Sequence, residues 1–462
     1  MKHPLIYIYI VLAALATCEE ANAQRNEIFN ERIQSLQVVA NADWQSMPVM
    51  ELGKGSVTID FDDMSHEYQR YAYRLEHCEA DWTTSEEIFE SDYCEGFAQG
   101  NTIEDYTKAS LTNWLYTHYT LKIPNSKCMP KISGNYKLTV YDDNEGEDMF
   151  TAYFYVTEPE EKRMGIGMSV TTVTDIDINN SHQQVAMQLN YTKRYRVVNP
   201  EQQIKTVVLQ NRRWDNARIN AKPQYKTIDG QAWDHCKEYI FDAGNEYRKF
   251  EILSTDVASM GIESIKWDGE MFHAYPFISM PRRNYLYDED ANGCFLLRNS
   301  DNYESEYTSD YMMVHFRLAI PEMKDNRIYV NGEWTNDRFS DRYLMEYNEE
   351  TKMYEVTILL KLGYYSYQFL LVDENGNAHP LPTEGSFHHT ENSYQALVYF
   401  KEQGGFIDDG QYIKMNNPKD LYIITTAKKR DSQEWELEMA PYLIRNYDIT
   451  VVEGTLTVNK IT

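Results

Sequence analysis

The sequence predicts an all-β protein made of tandem antiparallel β-sandwich domains, and three observations support this prediction. Short segments in which apolar or aromatic residues alternate with polar ones recur along the chain, which is typical of half-buried strands. Turn residues separate these segments, and no helical periodicity lies between them. Aromatic residues make up 13% of the chain, including 37 tyrosines, and this composition favours strands.

The first domain is predicted from residue 24 to residue 158. Its clearest strand patterns occupy residues 56–61, 68–75, 116–123, 136–141 and 149–156. A long connection is expected between residues 83 and 109, and an acidic turn at 142–148 is expected to join the last two strands as a hairpin. Strands at this spacing indicate a sandwich of the immunoglobulin/fibronectin-like type.

Two more sandwich domains and a tail are predicted after a charged linker. The second domain is expected at 159–307, the third at 308–402, and a C-terminal tail that ends in a hairpin at 403–462. The third domain has the most regular alternation, and it contains two Asn-Gly turns, which are the strongest short signals for hairpins.

The N-terminus has the pattern of a secretory signal peptide. An apolar run at 5–16 is too short to span a bilayer, and it is followed by small residues that end in Ala23. We therefore predict that residues 1–23 are removed by cleavage between Ala23 and Gln24, which places the mature protein outside the cytoplasm. A lipoprotein signal with a lipidated Cys18 is the alternative.

The charge of the chain argues against two classes of partner. The formal net charge is −28 at pH 7, which repels nucleic acid and anionic lipid headgroups. No long uncharged apolar run follows the N-terminal one, so we expect no transmembrane helix in the mature chain. Solubility alone could also explain the acidic surface.

Five cysteines remain after the predicted cleavage, so an exported protein has at least one unpaired thiol. They are Cys78, Cys94, Cys128, Cys236 and Cys294. The odd number argues against a disulfide-stapled scaffold, and the spacing does not define which residues pair. Cys78 and Cys94 could pair if the ends of their strands meet.

The most chemically unusual stretch runs from His77 to Trp82, at the end of a predicted strand. His77 and Cys78 could ligate a metal or form a nucleophile with its base, but neighbouring strand residues point to opposite faces of a sheet. Glu79 and Asp81 could act as paired carboxylates on one face. We favour a structural corner without catalytic, metal or cofactor residues, in which polar neighbours satisfy His77 and Asp81 caps a turn. Trp82 is then expected to pack beneath the 83–109 connection.

Other polar segments also favour structural roles. The turn at 142–148 departs from a calcium loop in the position of its glycine and lacks the closing glutamate. The pair His388-His389 could bind a metal, but it lies in a predicted polar connection. No phosphate-binding loop or nucleotide fingerprint is present, and we expect no cofactor.

Ordered motifs over most of the chain resemble one family, the plug proteins of the type IX secretion system. They include Leu52-Gly53, His77-Cys78-x-Ala80-Asp81-Trp82-x-x-Ser85, Tyr93-x-x-Gly96-Phe97, Ser133-Gly134-Asn135-Tyr136, Arg213-Trp214-Asp215-Asn216, Gly244-Asn245-Glu246-x-Arg248 and Thr390-Glu391-Asn392-x-Tyr394. On this resemblance His77, Cys78, Asp81 and Trp82 are structural signature residues. The resemblance extends to about residue 400.

The resemblance implies a periplasmic β-sandwich protein of Bacteroidetes-type bacteria. Its partner would be the giant outer-membrane translocon barrel through which folded cargo leaves the cell, and through it the protein would associate with the outer membrane. A plug of this family closes the periplasmic mouth of the barrel when no cargo is bound, by steric occlusion and without catalysis.

The third domain also resembles glycogen-binding-type modules, which gives an alternative function. The similarity lies in Val330-Asn331-Gly332-x-Trp334 and in the segment 360–369. The position of the sugar-stacking tryptophan is occupied by Asp337, and the position of the expected lysine by Gln368. These replacements argue against an exported carbohydrate-binding protein of a polysaccharide-utilisation system, while the resemblance in fold remains.

Overall fold

A computed structural model describes residues 25–176, 180–191, 195–324 and 326–402, together with the backbone of five strands between residues 409 and 460. The predicted signal peptide, its cleavage site at Ala23 and Gln24, and Cys18 lie outside the described residues. The prediction of an all-β chain with antiparallel β-sandwich domains is confirmed, because strands account for 47% of the described residues and helices for 6%.

Residues 25–158 form twelve strands and one short helix. These are β1 (Glu27–Ile28), β2 (Ile33–Ala40), β3 (Val49–Glu51), β4 (Val57–Asp63), β5 (Tyr71–Cys78), α1 (Glu90–Tyr93), β6 (Cys94–Gly96), β7 (Gln99–Thr102), β8 (Tyr106–Lys108), β9 (Thr117–Ile123), β10 (Cys128–Pro130), β11 (Gly134–Asp142) and β12 (Asp148–Thr157).

Seven strands and a helix follow up to residue 242. They are β13 (Gly165–Thr171), β14 (His182–Asn190), α2 (Pro200–Gln203), β15 (Ile204–Gln210), β16 (Arg213–Ile219), β17 (Tyr225–Thr227), β18 (Gly230–Trp233) and β19 (Ile240–Asp242). Short 3-10 helices occupy Glu160–Lys162, Lys237–Tyr239, Glu333–Thr335 and Asp341–Tyr343.

The remaining elements extend to residue 460. They are β20 (Arg248–Ile252), β21 (Ile262–Trp267), β22 (Phe272–Pro276), β23 (Phe295–Leu297), α3 (Ser305–Thr308), β24 (Tyr311–Leu318), β25 (Arg327–Asn331), β26 (Leu344–Asn348), β27 (Met353–Lys361), β28 (Gly363–Val372), β29 (Ala378–Pro380), β30 (Tyr394–Phe400), β31 (Asp409–Met415), β32 (Ala427–Arg430), β33 (Glu434–Leu437), β34 (Tyr447–Val452) and β35 (Thr455–Lys460).

The N-terminal unit is a sandwich of two sheets. One sheet has the order β1-β12-β11-β5-β7, with β3 beside β12, and the other has the order β2-β4-β9-β8. Alternation places one face of each strand in a shared core: in β4, Val57, Ile59 and Phe61 are fully buried, whereas Thr58 between them is half-buried. The core forms because both sheets bury such faces against each other.

The 83–109 segment differs from the expected connection, because it contains α1 and the strands β6, β7 and β8. Strands β7 and β8 pair with the edges of β5 and β9, while β6 forms a separate two-stranded ribbon with β10. Their residues, such as the Tyr106–Lys108 stretch, are mostly exposed. They therefore lack the apolar alternation by which sequence analysis detects strands.

The second unit is also a two-sheet sandwich. The sheet β13-β14-β18-β17, with β19 beside β14, shares one core with the sheet β16-β15-β30-β31. The third unit is a single ten-stranded sheet with β20 and β21 at its ends. Both end strands contribute to the same core, through Phe250 and Ile262, so this sheet curls over itself.

Strands on opposite sides of the predicted domain boundary, between residues 307 and 308, pair with each other in two different sheets. Strand β15 pairs with β30, whose residues belong to the predicted third domain, and β20 of the predicted second domain pairs with β28. Sequence patterns locate strands but do not identify distant partners. We propose that the second unit comprises β13–β19 with β30 and β31, and the third unit β20–β29.

Candidate functional site

The His77 to Trp82 stretch forms the end of β5 and a tight turn. Two backbone hydrogen bonds close the turn, from Glu79 N–H to the Thr83 carbonyl and from Trp82 N–H to the Glu79 carbonyl, each with an N···O distance of 2.9 Å. Trp82 has a left-handed backbone conformation, with φ of 66°. Such a conformation is rare for a bulky residue and persists only where surrounding contacts hold it.

The ring of His77 is buried and bonded on both sides. It is 1% exposed, its Nε2 donates to the Ser133 carbonyl at 3.1 Å, and its Nδ1 lies 2.8 Å from the Ser85 hydroxyl. Gly134 lies against the ring, and a Cβ added there would stand 2.3 Å from Nε2. The expectation that polar neighbours satisfy His77 is therefore met, and the ring has no open approach.

The neighbouring groups are also either kept neutral by burial or engaged in local hydrogen bonds. Burial raises the pKa of Cys78 to about 12, so this side chain is a neutral thiol near pH 7. Asp81 accepts hydrogen bonds from the Thr83 N–H and hydroxyl, at 3.2 and 2.7 Å, as expected of a turn cap. Partial burial raises the pKa of Asp81, but these bonds outweigh that effect and lower it.

Trp82 packs elsewhere than expected. Its ring lies against Tyr153 and Tyr155 of β12, with centroid distances of 5.2 Å, and 6.1 Å from Trp214 of the second unit. It belongs to a cluster that includes residues of β15 and β30, not to the 83–109 segment. The expectation fails because the left-handed turn at Trp82 cannot be foreseen from the sequence. The tryptophan is thus a contact between the first two units.

Polar groups beside Trp82 extend the same contact. Asn135 donates to the Glu79 carbonyl at 2.8 Å and accepts from the Tyr399 hydroxyl at 2.9 Å. The Lys401 ammonium lies 3.4 Å from the Glu79 carboxylate. We call the corner interface the contact that Glu79, Trp82 and Asn135 make with Tyr399, Lys401 and the apolar cluster around Trp82.

A second contact, between the first and third units, was missed by sequence analysis. Asp62 of β4 accepts from the Lys361 ammonium and the Tyr311 hydroxyl, each at 2.6 Å, and from His118 at 2.7 Å. Asp62 and Lys361 are both 0% exposed. We call these residues the Asp62 cluster. In the sequence, the one feature that could have indicated this contact is a charged residue near the end of each of two apolar strands, β4 and β27.

Electrostatic contacts favour the charged forms of Asp62 and His118 in this cluster. Burial favours neutral Asp62, but attraction to Lys361 and the His118 hydrogen bond outweigh it and lower the pKa of Asp62. Burial likewise disfavours the His118 cation, yet hydrogen bonds to Asp60 and Asp62 raise its pKa to about 9. A buried charge of this kind is tolerated only when it is paired and hydrogen-bonded.

Asp310 adds a second polar connection between the first and third units. Its carboxylate accepts the backbone N–H groups of Asn113 and Trp114 at 3.0 to 3.1 Å. The Tyr116 hydroxyl donates to the Ser309 carbonyl at 2.7 Å. These hydrogen bonds fix the loop around residues 110–116 to the third unit.

A cavity of about 80 Å³ lies where the three units meet. Its lining includes Arg25, Tyr155, Arg213 and Gly332. Arg213 already pairs with Asp215, with a distance of 3.1 Å between Nε and Oδ1. Within the described part of the chain, no group of three or more His, Cys, Asp or Glu side chains could hold a metal ion.

The structure does not favour sugar stacking in the third unit. Trp334 is 8% exposed, stacks on Phe316 at 5.9 Å and donates its indole N–H to the Ser366 carbonyl. Asp337 accepts from Asn331, and Gln368 donates to Asn331 and Tyr247. These side chains are engaged in internal contacts.

The remaining polar candidates make local hydrogen bonds. Asp142 accepts the Asn144 N–H through its carboxylate and the Gly146 N–H through its carbonyl, which forms the β11–β12 turn. His388 contacts the Asn180 carbonyl through Nδ1 at 3.0 Å. Among the described residues, no helix is long and apolar enough to cross a membrane.

Fold and contacts together define a multi-unit β-sandwich protein whose unusual polar residues join its units. Residues 33–158 match the family model described as "Type 9 secretion system plug protein 1st domain". The chain belongs to the type IX secretion system plug protein family. It therefore has a role related to type IX secretion, in a family that is not a known enzyme family.

Comparison with solved structures supports the same fold. A hypothetical protein from Parabacteroides merdae is 35% identical, and the match covers 85% of this chain and 99% of that protein with a TM-score of 0.80. The C-terminal domain of the Streptococcus pyogenes antigen I/II-family protein AspA is 8% identical over 83% of this chain and 99% of that chain, and its TM-score of 0.17 is too low to indicate a shared fold. No curated protein matches this chain.

Proposed function

We propose that this protein is a non-enzymatic periplasmic plug that occludes the outer-membrane translocon channel of type IX secretion when no cargo is bound. The observation that carries the proposal is the match of residues 33–158 to the plug-protein domain. The partner is the translocon barrel, and the predicted signal peptide at 1–23 would bring the chain to the periplasm. Through that partner the protein associates with the outer membrane.

A steric plug needs a body that keeps its shape against an open channel. The three units of this chain are joined by contacts that are costly to break, because separation would expose the Asp62 cluster and the apolar corner interface. Removing one partner of a buried ion pair costs about 3–5 kcal/mol. These interfaces therefore support a function in which the units act together.

The chemistry of the signature stretch supports a mechanism without catalysis. His77 and Asp81 are occupied by local hydrogen bonds, and Cys78 is a buried neutral thiol. On this proposal the stretch serves to position Trp82 in the corner interface. Occlusion then follows from shape, and release follows from displacement of the whole body by cargo.

Purification of the tagged full-length protein tests the association with the barrel. After gentle detergent extraction of the envelope, we expect a very large outer-membrane barrel protein to elute with it. An extract in which the same tag is placed on an unrelated periplasmic protein is the control. If the tagged chain elutes alone under conditions that keep other outer-membrane complexes intact, the proposal is wrong.

A further inference from the structure

Two cysteines meet inside the N-terminal unit. Cys94 begins β6 and Cys128 begins β10, and these strands form an antiparallel ribbon in which Cys94 faces Pro130 and Cys128 faces Gly96. The cysteines are thus diagonal neighbours across the ribbon. Their sulfur atoms lie 3.3 Å apart, so the side chains point toward each other. Each residue retains a free thiol in this structure.

The surroundings of the two sulfurs hold them in place. Cys94 is 3% exposed and Cys128 is 0% exposed, and both belong to the apolar core of the sandwich. Tyr93 and Tyr136 belong to the same core, and their ring centroids lie 6.4 Å apart. A core packed to this density leaves the sulfurs little freedom to separate.

We propose that Cys94 and Cys128 form a disulfide bond in the exported protein. The proposal rests on the envelope location that the proposed function also requires. A disulfide needs the two sulfurs about 1.3 Å closer than they are here, because the bond length is about 2.05 Å. A rotation of either side chain can provide this, since both sulfurs already face each other across one ribbon.

The reaction is a thiol–disulfide exchange with a small or protein disulfide of the envelope as oxidant. The thiolate of Cys94 attacks one oxidant sulfur, which forms a mixed disulfide and releases one thiolate. The Cys128 sulfur, after losing its proton, then attacks the Cys94 sulfur and expels the second thiolate. Two electrons pass to the oxidant, which ends as two thiols once it takes up the two protons released by the cysteines. The hydrogen bond from Cys128 lowers the pKa of Cys94 to about 7, which favours the first step.

The bond would secure the segment that contacts the third unit. Cys94 and Cys128 are separated by 34 positions, and this loop contains Asn113 and Trp114, whose N–H groups bind Asp310. Closing a loop of this size restricts the unfolded chain and stabilises the fold. The disulfide therefore stabilises the N-terminal unit, which provides one side of the interface with the third unit.

The test is made on full-length protein from the envelope fraction, with free thiols trapped by acid and alkylation before lysis. We expect non-reducing peptide mass spectrometry to find a Cys94–Cys128 cross-link, two hydrogen atoms lighter than the separate peptides. Reduction should lower the melting temperature by on the order of 10 °C. A Cys236→Ala variant, altered in the core of another unit, should keep this shift, and Cys94→Ser should abolish it.

Recovery of both residues as alkylated thiols, or a cross-link from either residue to another cysteine, overturns the proposal. The wild-type measurement needs no variant, so a misfolded Cys94→Ser protein does not affect it. Association with the barrel is measured independently. A chain that lacks the disulfide but purifies with the barrel refutes this inference and leaves the proposed plug function intact.

Discussion

The backbone of Trp82 shows how a strained residue can be stabilised by packing. A bulky side chain in the left-handed region costs on the order of 1 kcal/mol. Packing against Tyr153, Tyr155 and Trp214 outweighs this, since truncation of a buried tryptophan costs about 3–5 kcal/mol. The composition of the stretch marked it as unusual in the sequence. Its role in joining two units depends on a φ angle that no local pattern indicates.

We expect Trp82→Ala to lower the free energy of unfolding by about 3–5 kcal/mol, because it empties the corner interface. Trp267→Ala is the matched control, since Trp267 is 49% exposed, and should cost less than about 1 kcal/mol. Denaturant unfolding followed by circular dichroism measures both. Equal losses in the two variants would show that Trp82 contributes no special contact.

Gly134 is required by the position of the His77 ring. An added Cβ would stand 2.3 Å from Nε2, and φ is 139°. We therefore expect Gly134→Ala to destabilise the protein by about 2–4 kcal/mol. Gly167→Ala, where nothing lies within 4 Å, should change stability by less than about 0.5 kcal/mol. Thermal denaturation compares them, and a neutral Gly134→Ala would contradict the described ring position.

At the scale of the elements, strands β4 and β27 carry a fully buried ion pair that joins two units. They belong to different units, and they bring Asp62 and Lys361 together where neither is exposed. Alternation at residues 56–61 predicted most of β4, and the regular alternation of the third domain is typical of strands such as β27. It did not predict the contact between the two strands, because a charged residue at a strand end is usually exposed to solvent. Asp62 is buried only because the third unit packs against it.

We expect Lys361→Met to lower stability by about 3–5 kcal/mol, because it leaves the Asp62 carboxylate buried without its main counter-charge. The double variant Asp62→Asn with Lys361→Met should recover much of that loss, since the buried carboxylate and the buried ammonium are then both absent. A double-mutant cycle from denaturant unfolding measures the coupling. Simple additivity of the two changes would argue against a direct buried pair.

The His118 hydrogen bonds predict a pH dependence of the same interface. The folded pKa of about 9 lies above the unfolded value of 6.5, so the stabilisation is fully present below pH 6.5. It is lost as pH rises through 9, and the loss is on the order of 3 kcal/mol. In His118→Gln, the free energy of unfolding should change much less between pH 6.5 and pH 9 than it does in the wild type. A wild-type protein with constant stability from pH 6 to pH 9.5 would refute the assignment.

At the scale of the whole molecule, the class of fold was predictable and the connectivity was not. Alternation and turn residues are local properties, so they identified an all-β chain of sandwiches. The pairings of β15 with β30 and of β20 with β28 join strands that are distant in sequence. Such contacts are selected by tertiary packing. Because of these long-range pairings the chain passes between the second and third units more than once, which is consistent with the proposed plug.

The most direct test of the plug function is the permeability of the outer membrane to a small fluorescent solute that intact cells exclude. We predict that deletion of the gene for this protein makes the membrane leaky, and that complementation with the wild-type gene restores the barrier. The leak should also disappear when the translocon barrel is removed as well. Unchanged permeability after deletion, in cells that still contain the barrel, would contradict the account.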